Sequence, residues 1–343
     1  MADSPLTHAI RRLTNGGQLS GEETAAAFAV VMRGEASPPQ IAALLIGLRA
    51  RGETAEQVAG AAQALRAVMQ TVRLPSGAPV IDTCGTGGGA IGTFNLSTAS
   101  AFVAAGAGAR VAKHGNRSYT SSCGSADLLE ALGLEITLTP ERAAEVLERT
   151  GMVFLFAPAF HPAMKHAVPV RKELGVPTVM NLIGPLANPA GVSRQVIGVA
   201  DRERAPLVAQ ALARLGTVHA LVVHAEVGMD EISPSGDTQV WEIRQATISQ
   251  WSLDPAEYDL AHQGLEGLAG AGPAENARRV VQLLEGGEDP VGRAALLLNS
   301  AAAIYVAGLE SSFGAAVGRA RKSLTERAAL QALQRLRKEV GKR

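Results

Sequence analysis

The sequence predicts an α/β protein with a separate small all-helical domain, its large domain a mostly parallel or mixed sheet flanked by helices. Three observations lead there. Residues from about 6 to 72 carry helical periodicity only, and from 79 to 224 short apolar runs alternate with helical segments. Between the two lies RLPSGAP, residues 73–79, a turn-rich connector. The expected domains are therefore 1–73 and 74–343.

In the first domain, Ser20 with Glu23, Ser37 with Gln40 and Thr54 with Gln57 have capping-box spacing, which marks helix starts. Pro38 suits a first turn, where its missing N–H costs nothing. Gly34 and Gly52 fall where helix ends want a left-handed residue. Ile41, Leu44, Leu45 and Leu48 recur at helical spacing, as do Val58, Ala61, Ala62, Leu65 and Met69.

In the second domain, strands are expected at 79–81, 110–112, 152–156, 195–200 and 219–224, with helices at 98–109, 126–132, 140–149 and 202–215. Residues 240–249 add a more irregular strand pair, and the chain from 276 on is mostly helical. A proline-dotted segment, 157–191, interrupts the alternation. A connection that long inside a compact domain is functional or holds short helices of its own.

Composition narrows the function. The chain has 343 residues, and its 32 Lys and Arg balance 32 Asp and Glu. Capture of nucleic acid by bulk charge is therefore not expected. Two cysteines, Cys84 and Cys123, are too few for a disulfide framework and lack zinc-site spacing. MADSPLTHAIRRL has no signal-peptide core. The longest apolar runs, 99–109 and 294–298, fall short of the roughly 18 residues of a membrane span. A cytoplasmic protein that does not engage membranes is the expectation.

The chemistry concentrates in DTCGTGGGAIGTFNLSTAS, residues 82–100. A strand, a glycine turn and a helix start present main-chain N–H groups and a helix dipole to an anion. Walker A fails, because no Gly-Lys pair follows. Gly87, Gly89 and Gly92 satisfy G-x-G-x-x-G, but a dinucleotide site also wants an acid about 20 residues on. Between Asp82 and Asp127 there is no Asp or Glu, while Arg110, Lys113 and Arg117 are present. Cations in place of a ribose-binding acid indicate a polyanion.

A second loop, KHGNRSYTSSCGSAD at 113–127, extends the same chemistry. Lys113 and Arg117 supply charge, Gly115 and Gly124 allow close approach, and Asn116, Ser118, Thr120, Ser121 and Ser125 can bond phosphate oxygens. Asp230 and Glu231 stand side by side in a loop after an apolar strand, where both can reach a hydrated Mg²⁺ and its phosphate ligand. His161 and His166 are five apart with no companion cluster, so zinc is not indicated and His161 is expected to line a pocket or cap a helix.

Together these segments resemble the anthranilate phosphoribosyltransferases, which carry out the second committed step of tryptophan biosynthesis. The matching stretches are GTGGG at 85–89, NLSTAS at 95–100, KHGNRSYTSSCGSADLLEALG at 113–133, FHPAMK at 160–165, VRKELG at 170–175, NLIGPLANPA at 181–190 and MDEIS at 229–233. The helical start fits too, so the resemblance covers nearly the whole chain. It implies a small helical domain rejoined by about 165–190, a homodimer pairing through the helical domains, and a reaction that joins anthranilate to 5-phosphoribosyl 1-diphosphate (PRPP) and releases diphosphate. It also implies a requirement for Mg²⁺, a pair of ions per subunit.

By position, the resemblance implies that Gly85, Gly88, Gly89, Thr93, Asn95, Leu96, Ser97 and Thr98 cradle PRPP. Lys113, His114, Gly115, Asn116, Arg117, Ser118, Tyr119, Thr120, Ser121 and Ser125 would complete the cradle. Ser97, Asp230 and Glu231 match metal-holding positions, and Gly85, Asn116 and Arg171 match anthranilate-contacting ones. Lys113 and Arg171 would assist catalysis, with no dedicated general base. The family usually reads G-T-G-G-D, and this chain has Gly89 where that aspartate stands. A pyrimidine-nucleoside phosphorylase of the same fold would have different loops. A nucleic-acid-binding paralogue would want a basic face and degraded loops, whereas here the charge balances and KHGNR is intact.

Overall fold

The computed structural model describes residues 4–74, 77, 79–89, 91–118 and 122–342. It opens with four helices, α1 (Pro5–Thr14), α2 (Gly21–Met32), α3 (Pro38–Arg51) and α4 (Ala55–Arg66). The caps read from the sequence form. Ser20 Oγ accepts from the Glu23 N–H at 3.1 Å while Glu23 Oε2 accepts from the Ser20 N–H at 2.8 Å. Thr54 and Gln57 repeat the exchange, and Gln40 Oε1 accepts from the Ser37 N–H at 3.0 Å. These bonds satisfy N–H groups that a helix start leaves without partners.

The strands are β1 (Val80–Gly85), β2 (Arg110–Gly115), β3 (Met152–Phe156), β4 (Arg194–Gly198), β5 (His219–Ala225), β6 (Thr238–Arg244) and β7 (Thr247–Leu253). They form one seven-stranded sheet in the order β3-β2-β1-β4-β5-β6-β7. β1 to β5 pair in parallel, and β6 and β7 add an antiparallel edge. This edge is more regular than the sequence suggested. Its hairpin turns through Gln245 and Ala246, both at positive φ (47° and 69°), a conformation usually signalled by Asn or Gly.

Helices cover both faces. α5 (Leu96–Gly106), α6 (Ser125–Ala131), α7 (Pro140–Thr150), α12 (Pro273–Glu285), α13 (Pro290–Val306), α14 (Phe313–Thr325) and α15 (Ala328–Val340) bury one face, with Val196, Leu221 and Val223 of the sheet turned toward them. The alternate residues Ile197, Ala220 and Val222 join the other core, shared by α11 (Ala205–Arg214) and α1 to α4. Alternation by twos along β4 and β5 is what lets one strand serve two cores.

The proline-dotted segment carries short helices: α8 (Ala157–Phe160), a 3₁₀ turn at Pro162–His166, α9 (Val168–Leu174) and α10 (Met180–Ile183). α9 packs on α3, and α10 on α4. Among the described residues, no helix is long and apolar enough to cross a membrane.

The topology places the site. The chain runs β1, β2, β3 to one side and then returns to lay β4 on the other side of β1. The β1–β4 boundary is therefore a switch point, where the connections leaving the carboxyl ends of the strands diverge and open a crevice.

Candidate active site

The loops singled out in the sequence meet at this crevice. The glycine loop leaves β1 at Gly85, the KHGNR loop leaves β2, and the Asp230–Glu231 loop follows β5. Close backbone approach holds them together. The Thr86 N–H donates to the Gly198 carbonyl at 2.9 Å. A Cβ at Gly198 would collide with the Asp230 carbonyl, and one at Gly85 would lie 2.6 Å from Asp230 Oδ2. At Gly198 the obstacle is backbone and only glycine permits the approach, whereas at Gly85 the Asp230 carboxylate would have to shift.

The acidic pair faces the glycine loop. Asp230 Oδ2 accepts from the Gly87 N–H at 3.0 Å, and the Thr93 hydroxyl lies 2.9 and 3.0 Å from the two Glu231 carboxylate oxygens. Burial, then the Asp230 charge, push Glu231 up to about 8. Burial also raises Asp230, against the pull of the Gly87 N–H. A balancing cation is Lys113, whose charge acts on Glu231; the lysine is itself buried and lowered by that burial while Asp82 opposes the shift. Its ammonium donates to the Thr83 carbonyl and to Ser97 Oγ, the latter at 3.2 Å. Two carboxylates and the Ser97 hydroxyl make a hard oxygen set whose acids would be held ionised by a divalent cation, which fits Mg²⁺. Among the described residues, no cluster of three His, Cys, Asp or Glu side chains is positioned for a metal.

Asn95 begins α5 in the left-handed conformation, φ 66°. Leu96 and Thr98 bury their side chains, and Thr98 gives its N–H to the Asn95 carbonyl at 2.9 Å. What this turn offers a ligand is its main chain and the half-buried Ser97. Gly88 and Gly89 complete the loop, and a Cβ at Gly89 would lie 3.3 Å from Asp230 Oδ1.

The second loop is braced from within. Arg117 pairs with Asp127 at 2.8 Å and also with Glu130, both on α6. Asn116 gives its carbonyl to Ser125 Oγ at 3.2 Å and to the Ala126 N–H. The Ser118 N–H reaches Asp127 Oδ2 at 3.3 Å. A Cβ on Gly115 would strike Ser125 Oγ. Tyr119, Thr120 and Ser121 lie outside the described residues.

His114 and His161 stack as a tilted pair, ring centroids 5.0 Å apart. Both are buried. Burial lowers His114 to about 3, helped by His161 and Lys113, and lowers His161 to about 4. The rings are neutral near pH 7, and His114 Nε2 has no hydrogen-bond partner among the described residues. Arg171 sits half-buried on α9, just beyond the turn that follows His161.

Sequence reasoning passed over the polar residues beneath the site. Asp82, wholly buried, accepts from the His114 N–H at 3.1 Å and from Asn188 Nδ2 at 2.8 Å. Asn299 of α13 grips the residue after Glu231, accepting from the Ile232 N–H at 2.9 Å and donating to its carbonyl at 2.8 Å. Such lone asparagines carry no spacing signal.

A helical bundle joined to a mostly parallel sheet, with phosphate-type loops at its switch point, is the two-domain build of the glycosyl transferase family. The glycosyl transferase family models match here, the helical bundle domain over residues 7–69 and the a/b domain over 77–330. The anthranilate phosphoribosyltransferase of Methylobacillus flagellatus is 45% identical over 329 residues, 96% of each chain. The crystal structure of the Thermus thermophilus enzyme superposes with a TM-score of 0.91 at 43% identity, covering 96% of this chain and 98% of that one. The Saccharomyces cerevisiae enzyme in complex with PRPP and Mg gives 0.90 at 30% identity and 98% of each chain. In complex with 4-fluoroanthranilate, the yeast enzyme gives 0.87 at 29% and 97% of each. The chain belongs to the anthranilate phosphoribosyltransferase family.

Proposed function

We infer that this protein transfers the phosphoribosyl group of PRPP to the amine of anthranilate, releasing diphosphate. One observation carries the reading: at the β1–β4 switch point a glycine loop and a helix start face a paired carboxylate and a buried lysine. Those are the groups a metal-bound diphosphate needs. The yeast relative's complex with PRPP and Mg supports it.

In this reading the loops at 85–98 and 113–121, with Ser125, hold PRPP. Ser97, Asp230 and Glu231 hold Mg²⁺, a pair of ions per subunit, which when bound neutralises the leaving diphosphate. Lys113 and the N–H groups at the start of α5 stabilise the negative charge that develops as the bond from ribose C1 to diphosphate breaks. Anthranilate's ring lies against the His114–His161 pair, with Asn116 beside it, and Arg171 offers a two-pronged partner for its carboxylate. The arylamine is already neutral at pH 7 and needs orientation more than deprotonation. The buried His219–Glu242 pair, 2.9 Å apart, lies at the opposite end of the strands, where β5 begins, and is not part of the site.

Residues 165–190 are assigned to the helical domain, supported by the packing of α9 on α3 and α10 on α4. We also infer a homodimer through that domain. This is the pairing that the family resemblance implies. The direct test of function is turnover of anthranilate with PRPP and Mg²⁺. Pyrimidine nucleoside and phosphate serve as the control pair.

A further inference from the structure

Asn95 starts α5 in the left-handed conformation, which asparagine adopts more readily than most residues with a side chain, and its side chain makes no capping bond to its own helix. The amide is engaged elsewhere. Asn95 Nδ2 donates to the Cys123 carbonyl at 2.9 Å, and Asn95 Oδ1 accepts from Asn276 Nδ2 at 2.9 Å. Asn276 Oδ1 in turn accepts from the Ala271 N–H at 2.8 Å.

This chain of bonds has a fixed direction. Its two ends are main-chain groups, an N–H that only donates and a carbonyl that only accepts, so neither amide can be reversed without losing a bond. Asn276 lies on α12 and is 2% exposed. It ties the helix start of the glycine loop to the Cys123 end of the second loop. The segment before α12, with α12 itself, reinforces the tie: Thr93 bridges to Ala269, the Gly270 N–H donates to the Gly92 carbonyl at 2.9 Å, and the guanidinium of Arg279 on α12 stands 4.0 Å over the Phe94 ring.

We propose that Asn276 is a positioning residue for the PRPP site. Through Asn95 it holds the left-handed turn that aims α5 at the crevice and sets the spacing of the two phosphate loops. A left-handed asparagine can relax to other conformations unless its surroundings hold it, and Asn276 is the buried group bonded to its side chain here. The proposal rests on the PRPP reading above.

Asn276→Asp tests it with almost no change of shape. One carboxylate oxygen still receives the Ala271 N–H, but the other faces Asn95 Oδ1, acceptor against acceptor. Asn95 must then turn its amide and give up Cys123. The expected result is a KM for PRPP raised about tenfold, the loss of roughly one hydrogen bond, with the KM for anthranilate within about twofold of wild type. Calorimetric binding of Mg²⁺ and PRPP, without anthranilate, should weaken by a similar factor. An unchanged KM for PRPP, a fall in kcat alone, or equal rises in both KM values would overturn the proposal, because a merely structural role lowers the active fraction without separating the substrates. Should Asn276→Asp fail to fold, Asn276→Ala removes the link without adding charge and must show the same split. A wild-type protein that binds PRPP but leaves anthranilate unconsumed would refute the transfer reading, and the binding comparison would still judge Asn276.

Discussion

The Asp230 carboxylate accepts a hydrogen bond from the Gly87 main-chain N–H at 3.0 Å. An acid from the loop after β5 thus rests on the glycine loop after β1, on an N–H of the kind that would receive a phosphate oxygen. The halves of the site proposed to hold metal and phosphate are therefore in contact across the switch point.

Asp230→Asn combined with Glu231→Gln should lower activity about 100-fold or more, the scale for lost metal or electrostatic partners. The fold should not suffer. Burial and, for Glu231, the neighbouring charge disfavour both ionised acids, so their neutral replacements should leave the thermal midpoint equal or higher. Wild-type rates at limiting Mg²⁺ would contradict the metal assignment.

Gly89→Asp should move the Mg²⁺ dependence. The new Cβ would lie 3.3 Å from Asp230 Oδ1, gathering a third carboxylate at the diphosphate loop. Half-saturation is expected at lower Mg²⁺, with a higher KM for PRPP when Mg²⁺ is scarce and an unchanged KM for anthranilate. Superimposable Mg²⁺ titrations of the two proteins would remove position 89 from the site.

Arg171→Ala should act on the acceptor alone. Losing a charged partner costs about 1.5–3 kcal/mol, so the KM for anthranilate should rise by tenfold or more at that scale while the KM for PRPP holds. Equal rises for both substrates would contradict the role given to Arg171.

The buried histidines predict a pH effect on stability. In the folded protein His114 titrates at about 3 and His161 at about 4, against about 6.5 in the unfolded chain. Between those values the unfolded state binds protons that the folded state refuses, so stability present above about pH 6.5 is lost as pH falls. The thermal midpoint of His161→Phe should drop less between about pH 7 and about pH 5 than that of wild type. Equal drops would mean that His161 is not held neutral.

How much of this was legible in the sequence varies by residue, for physical reasons. The caps at Ser20 and Thr54 are local, decided within one helical turn, and they formed as read. The glycine loop, the KHGNR loop and Asp230–Glu231 were legible because anion chemistry demands dense, unusual residue types. The Gln245–Ala246 turn was not, because neither residue signals positive φ and the pairing of β6 with β7 imposes it. Asn276 and Asn299 were missed because each acts on residues far along the chain, Asn95 and Ile232, and nothing at helical spacing records such a partner.

The most direct measurement follows the fluorescence of anthranilate on mixing with the protein, PRPP and Mg²⁺. The signal should fall as anthranilate is consumed, only when all components are present, with one diphosphate released per anthranilate lost. Undiminished fluorescence with well-folded protein, or diphosphate release without loss of anthranilate, would contradict the assignment of this site to phosphoribosyl transfer onto anthranilate.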